Sequence, residues 1–214
     1  MKKRTHALKR GRSTGGEATG GRPRDPATSK SILAAALALG SEVGFDALTV
    51  EGIAERAGVG KATIYRRWPN AFAIMTDAFL AEVMRAAPIQ QCPTARASFT
   101  ASMCSLARLY RGRHGKMMRA LVGRAQGDEQ LMHILATRWV EPRRKIAREM
   151  IRLGIENGEL RPGLDPDVVL DALYGPFYHR LLVPYVRSNI SEKFVHAVVD
   201  TVFSGLEMTD EKRN

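Results

Sequence analysis

Cysteine is nearly absent from this chain: Cys92 and Cys104 are its two thiols in 214 residues. Two thiols build neither a disulfide framework nor a four-ligand zinc pattern, so the default is a reducing compartment, with Cys104 expected as a small core residue and Cys92 without an assigned role. Long hydrophobic runs are missing too. Residues 32–39 form the longest, eight residues rich in alanine, against the roughly 18 that a membrane span requires. That run lies behind a glycine-rich polar stretch, which excludes an ordinary signal peptide, and a cytoplasmic protein with no membrane partner is expected. The histidines His6, His114, His133, His179 and His196 are scattered without metal-ligand spacing. No glycine-rich phosphate loop, nucleophile elbow or paired carboxylates stand out. The expectation is therefore no catalytic residue, no metal, no cofactor and no enzyme.

Acidic residues are outnumbered, 22 against 33 basic, for a net charge of +11. The excess is uneven. Within residues 1–24, Lys2, Lys3, Arg4, Lys9, Arg10, Arg12, Arg22 and Arg24 face only Glu17, leaving +7 there and +4 for the rest. A basic arm on a mildly basic body suits a polyanion, nucleic acid first and an anionic membrane surface second. Rich in Gly, Ser, Thr, Arg and Lys, the arm is expected to be disordered in isolation.

Sustained period-two alternation is also lacking, and no internal repeat stands out, so the fold class is all-α. A first helix is expected from about Thr28, with Ile32, Ala35, Ala36, Leu39 and Val43 at helical spacing, stopped by Gly44. Phe45 and Leu48 follow as core plugs. After Pro69, Phe72, Met75, Phe79, Leu80, Val83 and Met84 lie on one broad helical face. Residues 88–94 form a loop and a domain boundary, dividing an N-terminal domain at 25–87 from a helical domain at 95–208. Helices are expected near 95–111, 114–126, 128–156, 165–183 and 192–207, with breaks at Gly112 and Gly115, Gly127, Asn157-Gly158, Pro162-Gly163 and Pro184. Pro142 should kink or split the third of these. Asp165-Pro166 is a good start for the fourth.

Residues 49–68 carry the most information. Val50, Ile53, Ala54 and Ala57 share one helical face. Thr49 can cap that helix and Gly58 can end it in the left-handed conformation. Val59 re-enters the core and Gly60 opens a second helix. Its buried face is Ile64 and Trp68; Lys61, Thr63, Arg66 and Arg67 are left outside, with Tyr65 at the edge. A helical hairpin with a solvated basic face accounts for this stretch alone, and so does a DNA reader.

Residues 28–84 closely resemble the DNA-binding domain of TetR/AcrR-type transcriptional regulators. The carriers are the run 32–38, Gly44-Phe45, Leu48-Thr49-Val50, Ile53-Ala54, Ala57-Gly58-Val59-Gly60, the stretch from Thr63 to Trp68, and Phe79-Leu80. Beyond residue 95 the likeness is in helix number, and residues 171–182 resemble a dimerisation helix of the family. The resemblance implies a three-helix helix-turn-helix domain followed by a helical ligand-binding and dimerisation domain. It implies a sequence-specific homodimeric repressor that a small molecule releases from a palindromic operator of double-stranded DNA. Carried over by position, Thr49, Gly60, Thr63, Tyr65 and Arg67 would hold backbone phosphates, while Lys61, Ala62 and Arg66 would approach base edges. Arg and Lys can donate to guanine, and a small Ala can touch a thymine methyl. Two departures stand out: Ala71 replaces the phosphate-binding lysine usual at the start of the fourth helix, and Gly52 falls inside the first helix of the motif. Arg67 or the arm is the expected substitute for that lysine.

Around Gly21-Arg22-Pro23-Arg24 the alternatives are an arm lying in an A·T-rich minor groove, with Arg22 and Arg24 as contacts, and a solvated tail that raises general affinity. For a ligand cavity the candidates are Met103, Met117, Met118, Met132, His133, Trp139, Tyr174, Phe177 and Tyr178; plain core packing is the competing reading. His179 is a candidate for the dimer interface, and Arg143-Arg144-Lys145 reads as a solvated helix face. Other classes stay in view: a helical enzyme lacks a catalytic constellation, a membrane-surface adaptor leaves Thr63 to Trp68 unexplained, and an architectural DNA binder would lack a ligand.

Overall fold

The computed structural model describes residues 26–44, 47–183 and 190–206. The arm with Arg22 and Arg24, the expected plug Phe45 and the break at Pro184 lie outside them. Ten α-helices and one π-helical turn form among the described residues, and no strand runs there. They are α1 (Pro26–Val43), α2 (Val50–Ala57), α3 (Lys61–Tyr65), α4 (Ala71–Ala86), α5 (Ala95–Tyr110), α6 (Arg113–Ala125), α7 (Glu129–Leu135), the π turn (Ala136–Val140), α8 (Glu141–Glu156), α9 (Pro166–Leu182) and α10 (Glu192–Phe203).

Helix starts follow their caps. Thr49, Asn70, Thr94, Asp128, Asp165 and Ser191 each accept a hydrogen bond from a backbone N–H in the first turn that follows. Each cap satisfies an otherwise orphaned donor, worth about 1 kcal/mol. Gly58 ends α2 at φ 66°, the left-handed region where any Cβ is strained.

Two apolar cores organise the chain. The first joins α1 to α4 through Ile32, Ile53, Ile64, Trp68, Ile74 and Met75. The second spans α4 to α10 and includes the fully buried Phe79, Phe99, Phe177 and Phe203. Burial of one such side chain is worth roughly 1.5–3 kcal/mol. The changeover falls within α4, between Ala78 and Phe79, so this helix belongs to both bodies. The loop 88–94 is pinned as well: buried Ser102 and Ser98 accept from the N–H groups of Gln90 and Cys92, each at 2.8 Å.

Several expectations needed correction. The first helix begins at Pro26, and its last residue Val43 is exposed, as is Met84 on α4. Those positions lie at helix ends, beyond the neighbouring elements that could cover them. Gly115 is no break. It sits inside α6, where a Cβ would stand 2.1 Å from the Tyr110 carbonyl oxygen, so only glycine permits that approach. Pro142 does accompany a split. The widened turn precedes it, with the Glu141 N–H bonded to the Ala136 oxygen five residues back. Proline has no N–H to continue an i→i−4 ladder, and the wider turn accommodates that loss.

Candidate nucleic-acid interface and effector cavity

The turn between α2 and α3 is set locally. The Gly58 and Val59 N–H groups bond to Glu55 and Ala54 at 3.1 and 3.0 Å, closing α2 over the left-handed Gly58. Gly60 then takes an extended conformation (φ −72°, ψ 143°) and starts α3. Ile64 and Trp68 turn inward, as their spacing of one helical turn requires. Trp68 is held further by its indole N–H, which donates to Asp77 of α4 at 2.7 Å.

This leaves an outward surface composed of Thr49, Gly60, Lys61, Ala62, Tyr65 and Arg66, all exposed. A Cβ at Gly60 would meet nothing within 4 Å, so the backbone there is open to an approaching chain. Thr49 accepts from the Gly52 N–H at 3.1 Å, which leaves its own hydroxyl proton free for an anionic acceptor. Lys61 pairs with Glu51 at 3.1 Å across the exposed turn, a contact that a phosphate or guanine would have to replace. Glu51 is held below the usual carboxylate range by a hydrogen bond from its own backbone N–H and then by Lys61.

Thr63 and Arg67 do not join that surface fully. Both are half-buried, and the Arg67 guanidinium donates to the Ser29 hydroxyl of α1. Expected wholly on the outer face, Arg67 instead lies between α3 and α1. Ala71 is buried in the first core. Gly52 faces α1, where a Cβ would come within 2.9 Å of Leu39.

A second site lies in the helical body: a cavity of about 490 Å³ between α6, α7, the π turn, α8 and α9. Met118, Val122, Leu135, Val140 and Leu170 give it apolar walls. Of the candidates named from sequence, Met118, Met132, Trp139, Tyr174 and Tyr178 line it. Met103, Met117, His133 and Phe177 do not. Met103 and Phe177 are fully buried in the core, Met117 packs between the two cores, and His133 is exposed on α7. Phase around the helices explains the division: Phe177 is the neighbour of Tyr178 but points away from the cavity.

Its polar groups were not foreseen. Arg143 and Arg144 line the cavity, where a solvated face was expected. Arg143 stacks 4.6 Å from the centre of the Trp139 ring and donates to the Ala87 carbonyl at 3.1 Å. Arg144 bridges Asp167 and Asp171, each at 2.7 Å. The discernible signal was spacing, since Trp139 and Arg143 lie one helical turn apart. Burial raises the phenols of Tyr110, Tyr174 and Tyr178, Tyr174 to about 12.

The cavity and the outward surface are linked through α4. Arg138, in the π turn beside Trp139, pairs with Asp77. The same Asp77 oxygen accepts from Trp68, just after α3. Arg143 grips Ala87 at the other end of α4.

Comparison with known proteins is consistent along the chain. Residues 32–71 match the bacterial regulatory proteins of the tetR family, and residues 93–202 match the tetracyclin repressor-like C-terminal domain. The HTH-type transcriptional regulator YdeS of Bacillus subtilis is 40% identical over 88% of this chain and 94% of its own. An HTH-type transcriptional regulator of Mycobacterium tuberculosis is 27% identical over 85% and 90%. Among solved structures, the TetR-family transcription regulator SCO0332 is 30% identical, with TM-score 0.74 over 83% of this chain and 97% of its own. FadR from Bacillus subtilis, solved in complex with stearoyl-CoA, shares the fold with TM-score 0.63 at 20% identity over 82% and 98%.

Proposed function

This chain belongs to the TetR family of DNA-binding transcriptional regulators, and from that premise we propose that it is a homodimeric repressor which a small molecule releases from a palindromic operator. The observation that carries the DNA-reading half is the exposed face of Lys61, Ala62, Tyr65 and Arg66, raised on a segment that Ile64 and Trp68 anchor from beneath. In this reading Lys61, Ala62 and Arg66 meet base edges in the major groove. Thr49, Gly60, Thr63 and Tyr65 hold phosphates. Arg67, bonded to Ser29, reaches a phosphate from the seam between α1 and α3. Arg22 and Arg24 follow the minor groove from the basic arm.

The release half rests on the cavity and its two links to α4. A ligand that spreads α7 and α8 moves Arg138 and Arg143, and with them Asp77 and Ala87. α4 carries the recognition segment through Trp68, so the separation of the two recognition segments in a dimer changes. A regulator of the same fold holds stearoyl-CoA, which supports a small-molecule effector. Dimerisation is supported by apolar side chains left exposed on the last long helices: Ile146 and Leu153 on α8, and Val168 and Leu182 on α9. No helix among the described residues is long and apolar enough to cross a membrane, in keeping with action on DNA in the cytoplasm.

Selection of bound sequences from a random DNA pool tests this reading. A palindromic consensus is the expected result, because operator symmetry mirrors dimer symmetry. Recovery of no consensus, or of an asymmetric single half-site, would refute it.

A further inference from the structure

Arg143 is the cation in the cavity whose charge is unanswered. Arg144 beside it is matched by Asp167 and Asp171. Arg143 has no carboxylate within ion-pair distance among the described residues; its partners there are the Ala87 carbonyl, the face of Trp139 and the neutral phenol of Tyr174. Its second terminal nitrogen, Nη2, is buried and makes no hydrogen bond. A guanidinium N–H shut away from water without an acceptor is costly, and a charge-assisted bond to an anion would be among the strongest available remedies.

The surroundings select the kind of anion. Two phenols of the cavity wall lie within the electrostatic reach of Arg143: Tyr174 and Tyr178. Both are protonated at neutral pH, and burial raises them further, so they can donate hydrogen bonds and do not repel negative charge. Tyr178 already accepts from the Trp139 indole N–H at 3.2 Å, which leaves its own proton to give. Asp171, the carboxylate on the cavity wall, is neutralised by Arg144. Apart from the neutral amide of Gln126, the remaining walls are apolar. One cation and neutral donors in an apolar chamber fit a single small anion on a lipophilic frame, and fit neither a polyanion nor a cation.

We propose that the effector is an apolar monocarboxylate whose carboxylate pairs with Nη2 of Arg143 and accepts from Tyr174, while its hydrocarbon part fills the space between Met118, Leu135, Val140 and Leu170. This rests on the reading of the cavity as the effector site. It also supplies the trigger: a carboxylate drawn to Nη2 shifts the guanidinium whose Nη1 holds the Ala87 carbonyl at the end of α4.

Calorimetry on the full chain with three probes of one skeleton tests it: naphthylacetate, naphthylethanol and naphthylethylamine. The acid should bind on the order of tenfold tighter than the alcohol, as a charge-assisted bond against a neutral one, and the amine weakest. Arg143→Gln should bring the acid down to the alcohol's affinity without changing the alcohol's, which also shows that the variant is folded. Tyr174→Phe should lower the acid severalfold and carries the test if Arg143→Gln does not fold. Gly175→Leu, which fills open space on the cavity wall, should weaken all three probes. Equal affinity of acid and alcohol for the native chain, a preference that survives Arg143→Gln, or an acid affinity that Tyr174→Phe leaves unchanged, overturns the proposal and leaves the cavity standing. Absence of binding by every probe, or binding indifferent to Gly175→Leu, overturns the proposal together with the cavity reading.

Discussion

Arg66 and Arg67 are neighbours in sequence with opposite surroundings, one exposed and the other half-buried against Ser29. Their substitutions should therefore separate. Arg66→Ala should relax choice at one operator position and cost about 1–3 kcal/mol against the preferred base, read by competition binding with single-base variants. Arg67→Ala should weaken all sequences alike. Glycines separate in the same way. Gly115→Ala places a methyl group against the Tyr110 carbonyl, an obstacle that cannot rotate aside. Its unfolding midpoint should fall by an amount equivalent to about 1–3 kcal/mol, while Gly127→Ala, with open space around it, should change little. The family resemblance gave Arg66 to base edges and Arg67 to phosphate, but sequence reading put both on the outer face of one helix and treated both glycines as helix breaks. Which arginine α1 would cover, and which glycine a carbonyl would crowd, depends on contacts made across the fold.

Elements whose signals are local were the legible ones. The caps at Thr49 and Asp165, the stop at Gly58 and the inward pair Ile64 and Trp68 stand where the sequence pattern puts them, because each is decided within one or two turns. α4 was only half legible. Its apolar face was evident, but nothing in its sequence shows that Asp77 accepts from both Trp68 and Arg138, residues 9 and 61 positions away. Asp77→Ala strands the buried indole N–H and should cost roughly 1–3 kcal/mol of stability, seen as a lower thermal midpoint. It should also blunt effector-driven release in a gel shift, because the π turn no longer holds α4. Asp77→Asn keeps an acceptor for Trp68 and loses the charge that Arg138 needs. It should keep most of the stability and still show the blunted release; full release by Asp77→Asn would remove Asp77 from the path.

For the molecule as a whole, charge is the property that reached furthest from sequence alone. The surplus of +7 in residues 1–24 predicts that deleting them weakens operator binding and flattens its dependence on salt, since each lost phosphate contact reduces the slope. An unchanged slope would show that the arm makes no phosphate contacts. The helical body was legible in class and in helix number. Its cavity was not, because a cavity is a relation among five elements and no one of them records it. The π turn bears on that relation in one further way. An extra residue in a single turn advances everything after it by about 100° around the helix axis, so the turn acts as an indexing step between α7 and α8. Removing one residue there, Thr137 for instance, would restore an even winding without breaking the helix. It would rotate Arg143 away from the chamber and Arg144 away from Asp167 and Asp171. A one-residue deletion, harmless in most loops, should here yield a folded protein that grips its operator and no longer answers its effector.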